Sequence, residues 1–116
     1  MAAILVVEDD PMLTLDISDA LEDEGYAVIA VANADEAIKV LESRNDIRTI
    51  FTDIDLPGSM DGLKLAAAVR DRWPPVHIIV TTGMRVPHCD EMPANSMFIA
   101  KPYLSAEVLE AVRSFE

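Results

Sequence analysis

The stretch Ile50-Phe51-Thr52-Asp53-Ile54-Asp55-Leu56-Pro57-Gly58 constrains this chain more than any other. It opens with apolar and β-prone residues, meets an acid, and is stopped by Pro and Gly. That pattern predicts a buried strand ending at Asp53 and followed by a turn. In an open α/β sheet, ligands bind at the carboxyl ends of the strands. Asp53 is therefore the candidate reactive group, expected to be half wet and reachable at the mouth of the fold.

The rest of the chain supplies the partners such a strand needs. Ala3-Ile4-Leu5-Val6-Val7 is apolar without alternation, as in a parallel strand buried on both faces, and it breaks off into Glu8-Asp9-Asp10-Pro11. Asp10 suits a helix cap and Pro11 the first helical position, with Leu13, Ile17, Ala20 and Leu21 at helical spacing and Gly25 as the stop. A second strand is predicted from Tyr26 to Val31. Asn33 and Glu36 resemble a capping box that opens a second helix with Ala34, Ala37, Ile38 and Leu41 inward. Arg48 to Asp53 forms the third strand. A third helix is expected from Met60 to Trp73, ended by Pro74-Pro75. His77 to Thr81 and Met97 to Ala100 read as the fourth and fifth strands, and Ser105 as the cap of a last helix bearing Val108, Leu109 and Val112. Strands that alternate with helices give an α/β fold with a parallel, doubly wound sheet. Between Met84 and Asn95, Pro87 and Pro93 leave room for at most a short helix.

The 116 residues fit one domain, 1–116, and a hydrophobic content of 51% is enough for a core. No apolar run approaches a membrane span, and the start lacks the basic n-region of a signal peptide. Cys89 is the only cysteine, which rules out an internal disulfide and suits a reducing cytoplasm. A net charge of −12 repels phosphate backbones and anionic lipid, so neither direct nucleic-acid binding nor membrane binding is expected. A protein or a cation is the expected partner.

Polar groups gather at the predicted strand ends: Glu8 and Asp9 after the first, Asp53 at the third, Thr81-Thr82-Gly83 at the fourth, and Lys101-Pro102 at the fifth. Adjacent carboxylates repel one another, and some have raised pKa values without a cation. A hard ion such as Mg²⁺ relieves this, since it takes carboxylates, carbonyls and water. With a lysine and a hydroxyl opposite, the set suits phosphoryl transfer to a carboxylate.

On these residues the chain resembles the receiver domain of two-component response regulators over nearly its full length. Val6-Val7-Glu8-Asp9-Asp10-Pro11 is similar to that family's acidic-pair motif, and Asp53 to Gly58 with Met60-Asp61-Gly62 to its phosphoacceptor motif. Thr82-Gly83 is similar to its hydroxyl and small neighbour, and Phe98-Ile99-Ala100-Lys101-Pro102 to its switch aromatic and Lys-Pro pair. The resemblance implies a flavodoxin-like five-stranded sheet in the order 2-1-3-4-5, with a short or degenerate fourth helix. It implies that Asp53 is the phosphoacceptor for a sensor histidine kinase or phosphotransfer protein. Asp9 and Asp53 would ligate Mg²⁺ by side chain, Asp55 by its backbone carbonyl and Glu8 through water. Lys101 would contact one phosphoryl oxygen, Thr82 would move onto another, and Phe98 would turn inward behind it. The Lys101–Pro102 bond is expected to be cis. If nothing follows Glu116, the chain resembles single-domain receivers, which bind a downstream protein partner or relay phosphate; a weak homodimer is left open.

Two departures stand out. Ser59 lengthens the turn after Pro57-Gly58 by one residue, and the weak helical pattern from Met84 to Asn95 falls where receivers place a fourth helix that often forms the output face. Two other functions compete. Asp53-Ile54-Asp55 resembles the D-x-D of haloacid-dehalogenase-type phosphatases, although Leu56-Pro57 follows it and no cap domain fits. A pseudo-receiver, a binding module that is not phosphorylated, is the other. Some residues have plainer readings: Asp10 as a cap only, Thr81 as the neighbour pointing away, and His88-Cys89-Asp90 as a surface loop rather than a soft-metal site. His77, Met12, Met60 and Trp73 are read as strand or packing residues.

Overall fold

The computed structural model describes residues 3–58, 60–84, 87 and 90–115. Five parallel strands form one sheet: β1 (Ala3–Val7), β2 (Ala27–Val31), β3 (Ile47–Asp53), β4 (His77–Thr82) and β5 (Ser96–Ala100). Their order is β2-β1-β3-β4-β5, as the resemblance implied. Four helices are described: α1 (Pro11–Asp23), α2 (Ala34–Ser43), α3 (Gly62–Arg72) and α4 (Ser105–Arg113).

Helices cover both faces of the sheet. Ala34, Ala37 and Leu41 of α2 and Leu65, Ala66 and Val69 of α3 pack with Leu5, Val7, Ile50 and Ile78 on one face. Ile17 and Leu21 of α1 and Val108 and Val112 of α4 pack with Ile4, Val6, Phe51 and Ile79 on the other. This explains the unbroken apolar run of β1: every one of its residues is buried. β2 lies at an edge and is only partly buried.

The local signals act as their chemistry suggests. Asp10 accepts the Met12 N–H at 3.0 Å, with Pro11 opening α1. Asn33 accepts the Glu36 N–H at 2.9 Å. Gly25 sits at φ +92° after α1, a left-handed position suited to glycine, and the Tyr26 N–H closes back on the Leu21 carbonyl at 3.2 Å.

Several boundaries differ from the sequence expectation. β3 begins at Ile47 rather than Arg48, because Ala3 pairs with Ile47 and Ile4 with Thr49, leaving Arg48 as an unmatched, exposed bulge residue. β2 starts one residue late, β5 one residue early, and β4 includes Thr82. α3 starts at Gly62 because the Asp61 carboxylate takes the Lys64 N–H at 2.8 Å and so caps it. Ser105 does not cap α4. It is the first helical residue, and the Glu107 carboxylate reaches back to the Leu104 N–H at 3.0 Å. Met12 does not pack; in the first turn of α1 it is 67% exposed, whereas Met60 and Trp73 lie half-buried against the core. The expected turn insertion at Ser59 and the loop at His88 and Cys89 lie outside the described residues.

Between Met84 and Asn95 no helix occurs among the described residues. The end of this segment is instead clamped from α3. The Arg70 guanidinium donates to the carbonyls of Ala94 at 2.9 Å, Pro74 at 2.6 Å and Val76 at 3.1 Å, and reaches that of Asn95 at 3.4 Å.

Gly62 fixes how closely α3 approaches the end of β3. A Cβ at this position would lie 2.0 Å from the Asp53 carbonyl oxygen and 2.7 Å from the Ile54 Cα. These are backbone atoms in a turn that the Gly62 N–H itself bonds, at 2.9 Å to the Ile54 carbonyl. Overpacking costs typically 1–3 kcal/mol where side chains can shift. Here they cannot, so Gly62→Ala is expected to cost about 3 kcal/mol or more, read as a lowered urea midpoint. An unchanged midpoint would mean that the turn yields freely.

Candidate functional site

The carboxyl ends of β1, β3, β4 and β5 bring Glu8, Asp9, Asp53, Thr82 and Lys101 to one end of the sheet. Lys101 is the centre of charge. Its Nζ lies 2.7 Å from Asp53 Oδ2 and 3.0 Å from Glu8 Oε1, with both acids nearly closed to solvent. The second Asp53 oxygen accepts the Asp55 N–H at 2.9 Å. Asp53 is thus 4% exposed, not half wet as its place at a strand end suggested. The lysine and the turn amide cover both of its oxygens.

Glu8, Asp9 and Asp53 each present a carboxylate oxygen within 4.8 Å of the others; Asp9 is exposed and its two companions are buried. Glu8 Oε2 is buried without a hydrogen-bond partner among the described residues. Burial, followed by the bond shared with Asp53, pushes the Glu8 carboxyl up to about 7, against the pull of Lys101. Burial lowers the Lys101 ammonium, but its bonds to Asp53 and Glu8 outweigh that and hold it above its ordinary value. A crowded acid set with an orphaned buried oxygen is the donor chemistry a hard divalent cation takes.

The raised Glu8 carboxyl gives the metal-free fold a pH dependence. Between 4.5 and about 7 the folded chain holds a proton that the unfolded chain has released. Stability from this group is complete below the lower value and is lost as pH rises through the higher one. Thermal melts in EDTA from pH 5 to pH 8.5 should show this decline, worth at most about 3 kcal/mol. Glu8→Gln, which fixes the neutral form, should flatten it; an equal slope in the variant would place the proton elsewhere.

Thr82 is one bond removed from Asp53. Its hydroxyl donates to Asp55 Oδ2 at 2.5 Å and accepts the Met84 N–H at 3.1 Å. Its carbonyl takes the Lys101 N–H at 3.0 Å, which ties β4 to the lysine. Thr81 has its hydroxyl buried and unpartnered among the described residues. Phe98 is not drawn into the cluster. It pairs with Val80 on β4 and packs, half-buried, on the α2 and α3 side of the sheet. The Lys101–Pro102 peptide bond is cis.

Two contacts have no counterpart in the sequence reading. Asp55, which enters it through its backbone carbonyl and as the second acid of a D-x-D, holds the Thr82 hydroxyl by its side chain. Tyr103, half-buried and edge-on to Phe51 at 5.6 Å, has its hydroxyl pushed up to about 12 by burial and then by the charge of Glu8. Neither has a spacing signal: Asp55 and Thr82 are 27 residues apart.

With this arrangement, residues 4–113 match the response regulator receiver domain. The chain belongs to that family. The receiver is 36% identical over 81 residues to the nitrogen assimilation regulatory protein NtrX of Azorhizobium caulinodans, a match spanning 69% of this chain and 18% of that protein. It is 30% identical to a response regulator receiver protein of Sinorhizobium medicae, with a TM-score of 0.92 over 98% of this chain and 93% of that one. The Thermotoga maritima response regulator TrrA, solved in complex with Mg²⁺-BeF, is 29% identical, with a TM-score of 0.89 over the whole of both chains. TrrA in complex with the histidine kinase ThkA gives a TM-score of 0.87 at 28% identity, covering 99% of this chain and 98% of that one. Members of this family generally act as signalling switches rather than as conventional enzymes. No described helix is long and apolar enough to cross a membrane.

Proposed function

We propose that this receiver is a phosphorylation switch and that the whole of 1–116 acts as one unit. An Asp53 carboxylate oxygen attacks the phosphorus of a phosphohistidine on a sensor histidine kinase or phosphotransfer protein. The O–P bond forms, the P–N bond breaks, and the imidazole nitrogen keeps the electron pair. The observation that carries this reading is the Lys101 ammonium held on Asp53 inside a cluster of three acids. It keeps the nucleophile aimed and supplies fixed positive charge where phosphoryl oxygens arrive. The solved complexes of TrrA with ThkA and with Mg²⁺-BeF support the choice of donor and of metal.

Asp9 and Asp53 would hold Mg²⁺ by side chain, Asp55 by its carbonyl and Glu8 through water. The orphaned Glu8 oxygen supports that assignment. The ion supplies charge neutralisation for the acids and the incoming phosphate. Thr82 then donates to a phosphoryl oxygen, Phe98 repacks behind it, and the phosphorylated form binds or passes its phosphate to a protein partner. We place this in the cytoplasm, where the single Cys89 stays reduced.

The test is chemical. The protein is incubated with a small acyl phosphate or phosphoramidate, with and without Mg²⁺, and the adduct is trapped and located by mass spectrometry. The expected result is one labile, Mg²⁺-dependent phosphoryl group on Asp53. Stable phosphate on Ser or Thr with Asp53 unmodified overturns the reading, and no adduct and no Mg²⁺ binding leaves the pseudo-receiver.

A further inference from the structure

We infer that the Asp55 side chain is a latch that holds the Thr82 hydroxyl away from Asp53 until a phosphoryl group competes for it. This rests on the proposal that Asp53 is the phosphoacceptor. A threonine hydroxyl has one proton to give. In this structure that proton goes to Asp55 Oδ2 at 2.5 Å, while the oxygen accepts the Met84 N–H at 3.1 Å. Thr82 is itself buried, whereas Asp55 is exposed, so water reaches the carboxylate end of the bond but not readily the hydroxyl. Asp55 is anchored at its other end as well, its N–H bonding Asp53 Oδ1 at 2.9 Å. One residue therefore touches the proposed acceptor with its backbone and the proposed switch hydroxyl with its carboxylate.

Phosphorylation changes both contacts together. A phosphoryl group on Asp53 brings oxygens that need donors, and Thr82 cannot serve one of them while donating to Asp55. The same group places negative charge near the Asp55 carboxylate, which weakens the latch from the other side. Asp55 has somewhere to go, since the pair borders a cleft of about 310 Å³ walled by Leu56, Asp61, Leu63 and Pro87. Asp55 is a positioning residue acting through Thr82. It opposes the active arrangement and so sets how much phosphate binding is spent on switching.

The test uses the full chain, NMR and Mg²⁺ with beryllofluoride as the phosphoryl mimic. In the free wild type, χ1 couplings should show Thr82 in one rotamer; in Asp55→Ala they should average. Asp55→Ala should bind Mg²⁺–beryllofluoride about ten-fold tighter, the scale of one hydrogen bond to a charged group. Asp55→Asn keeps an acceptor and should fall between. Removing a nearby negative charge would also tighten binding, and Thr82→Val separates the two causes. In that background the Asp55→Ala gain should shrink to within about two-fold, because the pair no longer interacts. A gain of equal size with and without the Thr82 hydroxyl overturns the latch in favour of plain charge repulsion. Rotamer averaging in the free wild type also overturns it. If wild type binds the mimic and Asp55→Ala changes nothing, the latch alone fails; if wild type takes neither mimic nor phosphate, the phosphoacceptor reading fails and takes the latch with it.

Discussion

Asp53→Asn should remove the phosphoryl adduct entirely while leaving the protein folded. An amide is close in shape to a carboxylate but is a poor nucleophile, so no O–P bond forms. The fold should hold with a modest loss, since Lys101 gives up its bond to Asp53 but keeps the one to Glu8. The Asn oxygen can still accept the Asp55 N–H, and one negative charge leaves a cluster in which three acids lie within 4.8 Å. Intact-protein mass after treatment with a phosphodonor and Mg²⁺ reads the first part; a thermal melt in EDTA reads the second. An adduct that survives in the variant would mean that another residue is the acceptor.

Lys101→Ala should be the most damaging change that spares the nucleophile. The ammonium is bonded to Asp53 at 2.7 Å and to Glu8 at 3.0 Å, and its side chain is only 20% exposed. Removing one preorganised charge donor typically costs a hundred- to a thousand-fold in rate, and adduct formation should slow by about that factor. The fold should also weaken, by about 3 kcal/mol at pH 8, because two buried acids lose their counter-charge. The sign with pH is fixed by Glu8. Its carboxyl is already raised to about 7, and loss of Lys101 removes a group that lowers it. The variant should therefore recover stability as pH falls towards 5, where Glu8 holds its proton, and lose it as pH rises. Rapid-quench rates and melts at the two pH values check this, and equal losses at both would show that Lys101 is not acting on these acids.

The fold and the cluster were legible in the sequence for different reasons. Asp10-Pro11, Asn33 and Gly25 act within a few residues of themselves, so their capping chemistry can be read from neighbours alone. The apolar runs of β1 and β3 required helices on both faces, and the acids at their ends marked the mouth of the sheet. What failed depended on contacts distant in sequence or on rotamers. Glu107 displaced Ser105 as the group capping α4 because a longer acid could reach back to Leu104. Arg48 bulged out of β3 only because of how Ala3 and Ile4 pair with it. Asp53 was expected to be wet, but Lys101 reaches it from 48 residues away and closes it. The tie from the Asp55 carboxylate to Thr82 is not legible because nothing in Asp53-Ile54-Asp55 says which way the second acid turns.

The Arg70 clamp bears on how sequences like this one can diverge. Four carbonyls from two chain segments meet one guanidinium on α3, two of them just before β5 begins. The starting point of β5 is thus gauged from a helix on the face of the sheet, not from the length of chain that leads into it. Ala94 and Asn95 are held from α3 directly, while earlier in the same segment Met92 packs against the core and the Met84 N–H bonds Thr82. Changes between these anchored points are the ones that least disturb the entry of β5, and with it the approach of Lys101 to Asp53.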